Sequence, residues 1–95
     1  IAFLPQSRFF EQISSDNNHR IVVEEKYANS DISIIFYEEI THPIYKSVYV
    51  TPIGKDKITE YQSGDFTVDF DEKNIKIHIP LLNNNPVDVP YSNSK

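Results

Sequence analysis

Four carboxylates crowd one short stretch of this chain, at Asp65, Asp69, Asp71 and Glu72. Clustered oxygen ligands suit calcium, and the Asp69-x-Asp71 spacing sets two carboxylates on one side of a strand end. The spacing is not that of a helix–loop–helix calcium loop, and no glycine lies between them. A solvated hairpin flank accounts for the group, so Asp69 and Asp71 stand as a metal candidate without a completed site, and no cofactor is expected. Glu24-Glu25 and Glu38-Glu39 are consecutive pairs. On a strand, neighbours point to opposite faces, so neither pair makes a catalytic dyad. One member of each must then sit toward the packed face, with Lys26 or Lys46 as the expected cross-strand compensation. His19, His42 and His78 are scattered, and a histidine metal site needs two or more ligands converging. The serines lack a Gly-x-Ser-x-Gly elbow, and Gly54 and Gly64 are the only glycines, so no phosphate-cradling loop exists. Tyr45, Ser47 and Tyr49 alternate, which predicts both rings on one face. Such a pair covers the rim of a core, makes a protein interface, or stacks on sugars.

The elements that must position these side chains are strands. Phe66, Val68 and Phe70 alternate with polar residues, as do Ile75, Ile77 and Ile79, around the polar turn Asp71–Asn74. This period-2 pattern on both sides of a loop predicts an antiparallel hairpin with those six residues facing the core. Arg20–Tyr27, Ile32–Ile40, Tyr45–Thr51 and Ile58–Tyr61 read as further strands. Ile32–Ile40 is apolar on both faces. Ile32, Ile34 and Phe36 face a core, while Ile35 and Tyr37 await an arm or a partner, which suits a central strand. Ser7–Ile13 is expected as one or two helical turns capped by Ser7, with Phe9 and Ile13 on one face.

The chain has 95 residues, 39% of them hydrophobic and 13% aromatic, with no Cys and no Trp. That length supports one small core, burying roughly 60–70% of the unfolded surface, with little room for an internal cleft. The poverty of Ala (Ala2 and Ala28) beside abundant Ile and Tyr favours sheet over helix. Without cysteine there are no disulfides, thiolate zinc sites or Cys nucleophiles. The net charge of −5, with Arg8 and Arg20 as the only arginines, argues against nucleic acid as a partner. No apolar run approaches the ~20 residues of a membrane span.

These signals predict an all-β chain, a small antiparallel β-sandwich of about six or seven strands. Its single domain divides into an N-terminal arm (1–18), a core (19–80) and a C-terminal extension (81–95). The stretch Gly64-Asp65-Phe66-Thr67-Val68-Asp69-Phe70, followed by Ile75-x-Ile77, resembles the late hairpin of immunoglobulin-like modules in phage structural proteins and bacterial surface proteins. Those modules usually carry Gly in the turn, where this chain has Glu72-Lys73-Asn74. The resemblance implies a spacer, decoration or docking unit on a virion or cell surface. The expected function is therefore non-enzymatic: a structural or protein-interaction module whose partners are other chains of an assembly, copies of itself included. Phe3, Leu4, Tyr45, Tyr49, Leu81, Leu82, Val87 and Val89 are the expected interface residues. Removing residues 81–95 should then leave a folded core that no longer assembles. The alternative is a carbohydrate- or ligand-binding sandwich using Tyr45 and Tyr49.

Overall fold

The computed structural model describes residues 6–92. Seven strands run in chain order: β1 (Gln6–Ile13), β2 (Arg20–Ala28), β3 (Asp31–Thr41), β4 (Ile44–Ile53), β5 (Thr67–Phe70), β6 (Asn74–His78) and β7 (Val87–Pro90). They form two antiparallel sheets, β1-β2-β3-β4 and β5-β6-β7, and no helix occurs among the described residues. The chain is thus all-β, a small two-sheet sandwich. Each sheet is a meander of consecutive strands. Immunoglobulin sandwiches instead deal their strands out between the sheets as ABED and CFG, so the strand count agrees with that family and the strand order does not.

Alternation places Ile21 and Val23 of β2 and Ile32, Ile34 and Phe36 of β3 on the inner face. There they meet Ile75 and Ile77 of β6 and Ile79 just after it, all buried in one cluster. The hairpin register is as its pattern predicts, Val68 opposite Ile77 and Phe70 opposite Ile75. The isoleucines of that hairpin are buried, while Phe66, Val68 and Phe70 are half-buried against them because β5 is an edge strand. Phe66 links the layers, its ring edge-on to Phe10 at 5.2 Å and to Phe36 at 5.7 Å between centroids. β3 is central, as its two-sided apolar character predicts.

Three sequence expectations fail. Ser7–Ile13 is not helical but lies in β1, paired along its length with β2 from Gln6 opposite Tyr27 to Ile13 opposite Arg20. Alternation of Arg8, Phe10 and Gln12 inward with Phe9, Glu11 and Ile13 outward serves a strand as well as Phe9 and Ile13 serve a helix, and the ready partner decides it. The N-terminal arm therefore does not exist as such from Gln6 onward. Ile58–Tyr61 is not a strand either. This segment carries the chain from one sheet to the other and closes on itself through Lys57 N–H to Gly54 C=O (2.8 Å) and Tyr61 N–H to Lys57 C=O (3.1 Å). Finally, the C-terminal extension belongs to the domain's own sheet: β7 pairs with β6, Val87 opposite Ile77 and Val89 opposite Ile75.

Candidate functional site

The inner face of the larger sheet is buried against the smaller one, and β3 is wide enough in apolar residues to supply two faces. The other face is therefore where binding chemistry has to be sought. Cross-strand register arranges it in rows. Ile13, Arg20, Glu39 and Tyr45 form one, Glu11, Val22, Tyr37 and Ser47 the next, and Phe9, Glu24, Ile35 and Val50 the third. Phe9 is 64% exposed and Val50 55% exposed, at the two edges of the third row. The described residues span only 17 Å through the thinnest axis, so among them there is room for two layers and no third over this face.

A groove of about 290 Å³ crosses the face between Phe9, Val22, Tyr37 and Tyr45. Two carboxylates stand on its rim. The Tyr37 hydroxyl donates to Glu24 Oε1 (2.8 Å), and Ser7 Oγ donates to Glu24 Oε2 (2.6 Å). The Tyr45 hydroxyl donates to Glu39 Oε2 at 3.0 Å, and His42 Nδ1 lies 3.3 Å from the same oxygen. Arg20 reaches Glu11 at 2.8 Å and Glu39 at 4.0 Å. The Ser7 hydroxyl holds the Glu24 carboxyl below the usual carboxylate range, outweighing partial desolvation, with Tyr37 and the Lys26 charge adding to it. Desolvation pushes Glu39 up, but the bonds with His42 and Tyr45 and the Arg20 charge bring it below its ordinary value. Both phenols are raised, by desolvation first and then by the carboxylates they face. The groove is thus aromatic with ionised carboxylates at its edge.

The opposite members of the two Glu pairs point inward, as alternation requires. Glu25 is fully buried and accepts from four donors: the hydroxyls of Tyr61, Tyr27 (2.9 Å) and Ser63 (2.5 Å) and the Gly64 N–H (2.7 Å). Burial pushes its carboxyl up, and the four bonds together bring it below the usual range; desolvation and Glu25 together push the Tyr61 phenol far up. Glu38 accepts from Ser92 N–H (3.2 Å) and Ser92 Oγ (2.6 Å). The expected lysine compensation is not what holds these groups. Neutral donors from β2, the inter-sheet crossing and the C-terminal end do so, which makes both carboxylates clamps between layers.

The sequence-derived site residues are dispersed. Tyr45 and Tyr49 do not share a face: Tyr37 pairs with Ser47 but Phe36 with Tyr49, so Val48 is an extra residue in β4. The bulge turns Tyr49 inward against Phe36 (5.9 Å) and leaves Tyr45 on the outer face. Leu81, Leu82 and Val89 pack half-buried on this domain's own core, and Val87 is half-buried in β7. Phe3 and Leu4 lie outside the described residues. Asp69 lies opposite Lys76 across the smaller sheet, and Asp71 Oδ1 accepts from the Glu72 N–H at 2.7 Å. Among the described residues no group of three His, Asp or Glu side chains is placed to hold a metal ion, and no helix is long and apolar enough to cross a membrane. His19 stacks on Tyr91 at 3.9 Å beside a cleft of about 260 Å³ that Asp16, Asp71 and Glu72 also line. His78 Nε2 lies 2.9 Å from the Asn83 carbonyl.

Sequence reasoning missed Phe9, Val22, Tyr37, Glu24 and Glu39 as one site. The alternation of Val22 with Glu24, and of Tyr37 with Glu39, was the available signal; only the pairing of three strands brings them together. No protein-family model, curated protein or solved structure matches the chain.

Proposed function

We propose that this chain is a non-enzymatic module of a larger assembly, binding another protein chain through the outer face of its four-stranded sheet. The observation behind this reading is the exposed apolar character of that face, with Phe9 and Val50 both more than half in water across a row that also holds Ile35. Glu24 stands within that row between Phe9 and Ile35, and exposed apolar side chains interleaved with charge are a composition that protein-binding surfaces use. A virion or cell-surface setting rests on the hairpin's sequence resemblance alone. The carbohydrate-binding alternative rested on Tyr45 and Tyr49, and against that pair stands its separation onto opposite faces by the β4 bulge.

Site-specific photo-crosslinking in the native source tests the proposal. A benzophenone side chain at position 50 should give one defined adduct with another protein chain. The same probe at Lys55, in the inter-sheet crossing, should not, and Phe9→Glu should abolish the adduct. The reading fails if position 50 gives no adduct or the same products as position 55.

A further inference from the structure

Resting on that reading, we infer that the aromatic groove of the outer face receives a lysine or arginine side chain from a basic segment of the partner protein. The geometry selects a cation in three ways. First, the rim is made of acceptors. Glu24 takes hydrogens from Tyr37 and Ser7, and Glu39 takes one from Tyr45 with Arg20 and His42 beside it, so what these carboxylates offer a newcomer is further lone pairs and no donor. A side chain with donors and no acceptors, ammonium or guanidinium, satisfies such a rim, whereas sugar hydroxyls need both kinds of partner. Second, the floor and walls are three rings and the Val22 side chain. The long aliphatic stem of Lys or Arg covers apolar surface of this kind, and its charge is attracted to ring faces. A phenol whose proton is held by a carboxylate is richer in electrons, which strengthens that attraction. Third, an uncharged apolar occupant would take Glu24 and Glu39 further out of water and add no donor to those they already have, at a desolvation cost.

The charge balance agrees. Arg20 is shared between Glu11 and Glu39, and Lys26 is one row removed from the groove, so three carboxylates face two cations across these rows. The whole chain carries −5, which steers a basic partner inward and repels an acidic one.

The test uses two blocked peptides of alternating threonine and lysine, identical except that one is acetylated on every lysine Nε. Each is titrated into the full chain at low salt while NMR follows the rings of Phe9, Tyr37 and Tyr45. The basic peptide is expected to shift all three rings saturably. The acetylated one should bind at least about tenfold more weakly, the loss that follows when a cation leaves an aromatic site. Glu24→Gln with Glu39→Gln should weaken the basic peptide by a similar factor while circular dichroism stays unchanged. Equal binding of both peptides overturns the cation and leaves the docking face standing. Shifts confined to the acidic 65–72 stretch overturn the groove as their site. Binding of neither peptide overturns the inference, while the docking face itself is judged by the crosslink at position 50.

Discussion

Glu25 shows how one side chain ties the layers together. A fully buried carboxylate is costly unless every lone pair is used, and here four donors from β2 and the 61–64 stretch use them. Glu25→Ala strands those donors and should cost on the order of 3 kcal/mol in urea unfolding at neutral pH. The pH dependence follows from the folded carboxyl lying below its unfolded value of 4.5. Stability from the ionised form is fully present above that value and is lost as pH falls through the lower folded one. The stability gap between the native chain and Glu25→Gln should therefore close below about pH 4.5. A gap constant from pH 3 to 7 would mean that the ionised form is not what the four donors hold. Tyr45 and Tyr49 offer a paired test of the bulge. Tyr49→Ala, opposite Phe36 on the core side, should cost about 2 kcal/mol; Tyr45→Ala, on the outer face, should leave the unfolding midpoint nearly unchanged. Equal losses would contradict the face assignment.

The β2–β3 hairpin shows what a turn demands of its sequence. Ala28 pairs with Asp31, so Asn29 and Ser30 form a two-residue loop, both in the left-handed region at φ 52° and 68°. Two-residue hairpins need this geometry because it matches the twist of the flanking strands, and glycine meets it without a Cβ penalty. Ser30→Gly should raise stability by about 0.5–1 kcal/mol, read as a higher melting temperature in calorimetry. Gly64 is the converse case. At φ 83°, and with a Cβ there meeting the Phe10 ring at 3.4 Å, its N–H reaches Glu25. Gly64→Ala should lower stability by about 1–2 kcal/mol. In the hairpin at the far end, Phe70→Ala should cost about 1–3 kcal/mol, less than a fully buried ring, since β5 leaves Phe70 half-buried.

At the scale of the molecule, two meanders are held face to face by one isoleucine-rich core and two carboxylate clamps. The smaller sheet has only three strands, and β7 forms one of its edges. Residues after Pro80 also bring Tyr91, buried with its hydroxyl on the Asp71 carbonyl at 2.6 Å, and Ser92, the donor to Glu38. Deleting 81–95 should therefore abolish cooperative thermal unfolding, the reverse of the folded, non-assembling core expected from sequence. A two-stranded remnant does not cover Ile75 and Ile77. A sharp, native-like melting transition in the truncated chain would place the tail outside the fold.

Period-2 alternation and turn chemistry were enough to read all-β class, the core set of Ile32, Ile34, Phe36, Ile75, Ile77 and Ile79, and the inward turn of one glutamate in each pair. These are local properties, because a strand's side-chain direction depends only on its own pleat and on which face meets water. Pairing partners are not local. Whether Ser7–Ile13 is helix or strand depends on β2 being beside it. Whether 81–95 is an arm depends on a free edge of β6. A single extra residue, Val48, sends Tyr49 to the core and leaves Tyr45 in the groove, and no alternation rule contains that shift. The groove itself joins side chains from β1, β2, β3 and β4, so it came into being only when the tertiary register was set.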